Sequence, residues 1–239
     1  MKLDILVFAV HPDDAELGCS GTIMAHIAKG YKVGIVDFTQ GELGTRGSGP
    51  LRLKEAEEAS KIMGLSIREN LGFRDGFFTN DEAHQLKLIE IIRKYTPDII
   101  LANAIDDRHP DHGRAAKLST DACFYAGLEK IKTFDINGNG QKAWRPKNLF
   151  HYIQDMYISP DFVIEITPFW EQKIEAIKAF KSQFYDPENT ETPSYISSLD
   201  FFHFLEARAR SIGHSAGFTF AEGFTKSRIY GVNNLFSIV

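Results

Sequence analysis

A chain of 239 residues, 43% hydrophobic and 25% charged, has enough apolar material for one large core without disulfide or metal staples. Its net charge of −5 offers no overall attraction to nucleic acid or to an anionic membrane, so neither is expected as a partner. Cys19 and Cys123 fall inside helical patterns and read as free thiols. No signal peptide precedes the first strand and no apolar stretch reaches membrane-spanning length, so the expected location is the cytoplasm.

Taken in order, the first half alternates strands and helices. Ile5 to Val10 is an apolar run that reads as a buried parallel strand, and it stops abruptly at His11-Pro12-Asp13-Asp14. Asp13 or Asp14 can cap the helix predicted over Ala15 to Lys29, which Gly30 ends. Lys32 to Thr39 reads as the second strand, and a glycine-rich loop follows from Gln40 to Gly49. Pro50 then opens the helix Leu51 to Met63. Ile67 to Phe73 is a third strand, Asp81 to Tyr95 has helical periodicity, and Asp98 to Ala104 is a fourth strand. That strand also ends in polar residues, Asp106 to Arg114, before a helix predicted from Arg114 to about Tyr125.

The second half is less regular. Lys132 to Lys147 reads as an excursion around the turn cluster Asn137-Gly138-Asn139-Gly140. Leu149 to Met156 and Phe162 to Ile166 look like strands, and Pro168 to Phe180 and Ser197 to Ile212 like helices. The polar stretch Asp186 to Pro193 between them reads as a surface loop or lid, and Phe218 to Val239 has no clear pattern. No linker marks a second domain, so residues 1–239 are expected to form one. The fold class is α/β: a doubly wound, Rossmann-like, mostly parallel sheet of core order 3-2-1-4-5, with additional carboxyl-terminal strands and helices.

In that order the winding reverses between strands one and four, so the loops after those two strands share a crevice. Those loops carry His11-Pro12-Asp13-Asp14 and His109-Pro110-Asp111-His112. Two imidazoles and one carboxylate with a position left for water form a catalytic zinc set, and His11, Asp14 and His112 are the expected ligands. Water acidified by the cation would give its proton to Asp13 and attack a carbonyl carbon. His109, kept cationic by Asp111, would stabilise the oxyanion and protonate the leaving amine. The reaction class is hydrolysis of an unactivated amide or ester. The same donors could hold ferrous iron for redox chemistry, although Asp13 and the His109-Asp111 pair favour proton handling. A non-catalytic sugar- or nucleotide-binding module on the same scaffold is a further alternative.

Each motif also has a plainer explanation. Taken alone, His11-Pro12-Asp13-Asp14 is a strand end with a helix cap; its pairing with the second motif is what favours a site. His26, His84, His151 and His203 lack ligand spacing and read as packed or surface histidines, with His214 a weak cleft candidate. Cys19 reads as packing. A dinucleotide site is rejected, because two carboxylates stand where the Gly-x-Gly-x-x-Gly turn belongs and would repel a pyrophosphate. Arg46 and Arg52 make an anionic substrate group plausible, although a solvated side chain is the ordinary fate of either.

The paired motifs, the run Thr39-Gln40-Gly41-Glu42-Leu43-Gly44-Thr45-Arg46-Gly47, the segment Arg52-Leu53-Lys54-Glu55-Ala56, and Ala221-Glu222-Gly223-Phe224 together resemble the PIG-L/LmbE-like zinc-dependent N-acetylglucosaminyl deacetylases. Within that family the chain is most similar to the bacillithiol biosynthesis deacetylases. The resemblance implies removal of acetate from N-acetylglucosaminyl malate, a small amino-sugar substrate, with Zn2+ (or Fe2+) at His11, Asp14 and His112. It also implies Asp13 as base, His109 with Asp111 as the electrostatic pair, and Arg52 and Arg145 as substrate-binding arginines. Relatives place a carbonyl-polarising tyrosine where Phe201 falls here, and Tyr195 lies nearby. A homo-oligomer, trimer or hexamer, is implied as well.

Overall fold

The computed structural model describes residues 1–238. Strand β1 (Ile5–Ala9), helix α1 (Asp14–Ile27), β2 (Val33–Thr39), α2 (Gly49–Met63), β3 (Ile67–Phe73), α3 (Glu82–Tyr95), β4 (Ile99–Ala102), α4 (Pro110–Ala126) and β5 (Asn148–Tyr152) alternate along the chain. Then come β6 (Phe162–Glu165), α5 (Trp170–Lys178), α6 (Leu199–His214) and β7 (Ala221–Lys226). All seven strands join one sheet in the order β3-β2-β1-β4-β5-β7-β6. The first five pair in parallel, and β7 runs antiparallel between β5 and β6. The expected core order is therefore the observed one. Among the described residues no helix is long and apolar enough to cross a membrane.

Strand β1 is central, and its sequence states why. Ile5, Val7 and Ala9 face a core shared with α1, α2, α5 and α6, whereas Leu6, Phe8 and Val10 face a second core shared with α3 and α4. A strand buried on both faces must be apolar throughout. Burial of each large side chain contributes about 1.5–3 kcal/mol, so the first charged groups appear only where the strand leaves the sheet, at His11.

Two elements depart from expectation. Helix α4 starts at Pro110, one turn before Arg114, because proline suits the first helical position and His109 serves as the N-cap. This places Asp111 and His112 inside the first turn. The segment read as patternless contains β7, whose second position is taken by a buried glutamate, Glu222, so no apolar alternation betrayed it.

Glu222 is accounted for by a kink in α1. Cys19 leaves helical geometry at φ −149°, ψ 16°, which frees backbone groups on either side. The Glu222 carboxylate accepts the N–H groups of Gly21 (3.0 Å) and Thr22 (2.7 Å). Lys173 Nζ donates to the carbonyls of Glu16 (2.9 Å) and Leu17 (2.8 Å), and pairs with Glu222 at 2.7 Å. A buried ion pair thus satisfies the donors and acceptors that the kink releases. The ring of Tyr152 lies against Gly18, where any Cβ would stand 2.3 Å from the ring, so the close approach needs glycine.

Candidate active site

The loops after β1 and β4 meet at the carboxyl edge of the sheet, at the switch point, and open into a cavity of about 460 Å³. Helices α1 and α4 begin there, so both amino-terminal ends face it. Asp14 Oδ1 lies 3.2 Å from His112 Nε2, and Asp14 Oδ2 lies 3.6 Å from His11 Nδ1. The ring nitrogens of His11, His109 and His112 fall within 4.8 Å of one another. Segments a hundred residues apart in sequence are thereby within reach of one ion.

Each histidine facing Asp14 has its other nitrogen held by a second carboxylate. His11 Nε2 meets Asp75 at 2.9 Å, and His112 Nδ1 meets Asp107. Such outer carboxylates fix the ring tautomer and aim the inner nitrogen. Burial opposes a charge on either ring, yet Asp14 and Asp75 lift His11 to about 9, and Asp14 and Asp107 lift His112 to about 10. Burial likewise opposes charge on Asp14, but the two imidazoles beside it hold its carboxyl well below the usual range. A pocket that stabilises protons this strongly is a pocket built for positive charge.

Asp13 occupies the N-cap position of α1 but does not cap it, contrary to one of the two expected capping choices; Asp14, the other, spends its carboxylate on the His11 N–H (3.0 Å). The Asp13 side chain turns instead to Arg52, whose Nη2 lies 2.7 Å from Oδ2. Its backbone sits at φ 131°, a strained position for a residue with a Cβ, and such strain persists where surrounding contacts impose it. Burial raises the Asp13 carboxyl to about 7 against the lowering effect of Arg52. A carboxylate titrating there is well matched to proton transfer at neutral pH. Arg52 is expected to bind substrate, but its guanidinium is largely committed: it also donates to the carbonyls of Pro12 (2.6 Å) and Gly41 (3.2 Å). Gly41, at φ 64°, permits this, since a Cβ there would lie 1.8 Å from Arg52 Nη1.

Two expected roles need correction. Asp111 does not hold His109 cationic: its fully buried carboxylate accepts from the Gly76 N–H (2.8 Å) and Arg114 (2.6 Å). Only its backbone N–H reaches His109, at Nδ1 (3.3 Å), and burial with two imidazole neighbours pushes His109 down. His109 is thus a neutral ring with its proton on Nε2. Asp111 instead ties the start of α4 to the loop that presents Asp75. Arg145 is not brought to the cavity at all. It donates to the Phe124 carbonyl and lies over the Phe124 ring, at the far end of α4. A helix of 17 residues separates the two ends by about 25 Å.

Phe201 and Tyr195 both line the cavity, and the Tyr195 hydroxyl donates to Asp155 at 3.2 Å under the guanidinium of Arg108. His151 is buried against the Asn103 carbonyl, as a packed histidine should be, and His214 is exposed away from the cavity. Sequence reasoning missed Asp75, Asp107, Asn103 and Gln154. Asn103 and Gln154 donate to the two oxygens of Asp14 at 3.0 and 3.1 Å. Asp107 and Asn103 do sit where the β4 apolar run breaks into polar residues, a signal of the kind that marked His11. Asp75 and Gln154 had none.

The donor set suits a divalent cation. His11, Asp14 and His112 are two imidazoles and a carboxylate with a solvent-facing side, and their outer partners are in place. Asp75 and Asp111 also lie near His11, but their oxygens are taken up by backbone N–H groups, Arg114 and His11 itself.

Comparison with known proteins gives the family. Residues 6–123 match the PIG-L family, described as GlcNAc-PI de-N-acetylase. The solved conserved protein TT1542 of Thermus thermophilus is 35% identical, with a TM-score of 0.85 over 97% of this chain and 98% of that one. This chain belongs to the PIG-L family. Diacetylchitobiose deacetylase of Thermococcus kodakarensis is 25% identical over 92% of this chain and 81% of its own length. Probable N-acetyl-alpha-D-glucosaminyl L-malate deacetylase 2 of Bacillus anthracis is 23% identical over 83% of this chain and 93% of its own. The chain is also similar to 4-oxalmesaconate hydratase of Pseudomonas putida, 25% identical over 74% of this chain and 73% of that protein's length.

Proposed function

We propose that the chain is a zinc-dependent N-deacetylase that hydrolyses the acetamide of N-acetylglucosaminyl malate, releasing acetate and glucosaminyl malate for bacillithiol biosynthesis. The observation that carries the hydrolase reading is the meeting of His11, Asp14 and His112 beside a buried carboxylate, Asp13, which Arg52 holds in place. The malate deacetylase relative supports the substrate. His11, Asp14 and His112 would hold the metal. When bound, it polarises the acetyl carbonyl and makes water more acidic.

The remaining work belongs to side chains. Asp13 takes the proton of the attacking water as the water oxygen bonds to the carbonyl carbon, and Arg52 keeps the Asp13 carboxylate oriented. The ring of His109 lines the cavity, and its Nε2–H is a donor for the oxygen that gains negative charge. The C–N bond then breaks, and the proton held by Asp13 passes to the leaving nitrogen. Atoms balance as amide plus water giving acetate plus amine.

The test is acetate release by the zinc-loaded protein from N-acetylglucosaminyl malate, diacetylchitobiose and N-acetylglucosamine. Preference for the malate conjugate supports the full reading; preference for diacetylchitobiose moves the substrate within the deacetylase class; no acetate from any removes the reading and favours hydratase chemistry of the kind named for the Pseudomonas relative. A homo-oligomer in the cytoplasm belongs to the same proposal. Ile229, Leu235 and Phe236, beyond β7, are exposed apolar side chains that a second copy would cover, and a monomer mass by light scattering would remove this part.

A further inference from the structure

The cavity is polarised. Asp13, Asp14, Asp75 and Asp107 gather around the histidines, so a substrate anion would be repelled from that end. The remaining wall carries arginines. Arg108 is paired with Asp155 at 3.1 Å, and Arg52 with Asp13. Arg208 differs from every other charged side chain lining the cavity: among the described residues it has no hydrogen bond and no ion pair; it lies over the Phe204 ring at 5.3 Å, and the carboxylates of Asp155 and Asp107 act on it only from beyond pairing distance.

Arg208 reaches the cavity because Phe201, Leu205 and Arg208 fall at i, i+4 and i+7 on α6, and all three line the wall. Burial works against its charge and pushes the guanidinium down. Taking a guanidinium partly out of water with no acceptor is unfavourable unless a ligand supplies one. A second cation is similarly under-used. Arg46 is 4% exposed, its Nε has no hydrogen-bond partner, and the carboxylate facing it, Glu191 on the loop before α6, stands 3.7 Å away.

We propose that Arg208, assisted by Arg46, selects substrates whose aglycone carries a carboxylate, a role that the commitment of Arg52 to Asp13 leaves open. The acetamide points to the acidic, histidine-lined end, and the aglycone carboxylate receives the paired N–H donors of the guanidinium. Arg208 is a specificity-determining residue here, with no part in bond breaking. The inference deepens the deacetylase reading and rests on it for the orientation of the substrate.

The experiment compares zinc-loaded wild type, Arg208→Met and Arg208→Lys on N-acetylglucosaminyl malate and on diacetylchitobiose, which is neutral. Loss of one charged hydrogen-bonding partner predicts that preference for the malate conjugate, as a ratio of kcat/KM, falls by about tenfold or more in Arg208→Met. The fall should sit in KM, with part recovered in Arg208→Lys and a smaller fall in Arg46→Met. An unchanged ratio, whether both substrates suffer equally or neither does, overturns the proposal. Calorimetric titration with L-malate separates the two readings. If wild type releases no acetate, the deacetylase reading falls; malate binding that Arg208→Met abolishes would still support the anion site, and malate binding indifferent to Arg208 would overturn it. Should Arg208→Met fail to fold, Arg208→Lys and Arg46→Met carry the same comparison.

Discussion

Arg52 Nη2 and Asp13 Oδ2 stand 2.7 Å apart, and this contact sets both where the Asp13 carboxylate points and when it titrates. Burial raises Asp13 to about 7, and Arg52 is the largest influence in the opposite direction. Removing the guanidinium should therefore raise the Asp13 pKa further and keep the carboxyl protonated to higher pH. In Arg52→Met, the acid limb of the kcat/KM profile for acetate release is expected to move toward alkaline pH by about one unit or more. A limb that stays in place, or moves toward acid, contradicts the assignment of that limb to Asp13.

Metal binding should depend steeply on pH. Without metal, carboxylate neighbours lift His11 to about 9 and His112 to about 10, so both rings are imidazolium, protonated on both nitrogens, at neutral pH. A cation bound at Nδ1 of one and Nε2 of the other must displace those protons. Affinity is full only above these values and weakens as pH falls, by up to about a hundredfold per unit when two protons are released. Chelator competition at pH 6, 7 and 8 reads the slope, and a flat dependence excludes the pair as ligands.

The outer carboxylates should matter almost as much as the ligands. Asp75→Asn and Asp107→Asn each replace the charged acceptor that fixes a histidine tautomer with a neutral amide that can also present N–H, and each is expected to weaken zinc binding by about 10- to 100-fold with the fold intact. Equal affinity in wild type and both variants would reduce these residues to loop packing.

The kink of α1 offers a stability test. Lys173→Met leaves Glu222 as an unpaired buried carboxylate and the Leu17 carbonyl without its donor, while the Glu16 carbonyl keeps the Ser20 hydroxyl. The expected loss is about 3–5 kcal/mol in urea unfolding. A loss below about 1 kcal/mol would show that the kink needs no such splint.

The first five strands and their order were legible because both faces of the sheet are covered, so β1, β2 and β4 had to be apolar runs with abrupt polar ends. Those ends carried the site: His11, Asp14 and His112 could be placed together from topology alone. Strand β7 was hidden because its buried Glu222 answers a kink in helix α1, a demand written two hundred residues away. Asp75 and Gln154 were hidden for the same reason, since their partners His11 and Asp14 are met only in space. Arg145 misled because the long loop after α4 returns it to Phe124, near the carboxyl end of that helix and far from the cavity. Asp111 sits in the expected motif, but the early start of α4 turned its carboxylate toward Gly76 and Arg114.

The most direct test of the central claim is zinc content and acetate release measured together on Asp13→Asn. Asp13 touches Arg52 and not the three donors, so the variant is expected to keep one zinc per chain while acetate release falls by about a thousandfold. Normal turnover by a zinc-loaded Asp13→Asn protein would contradict the account.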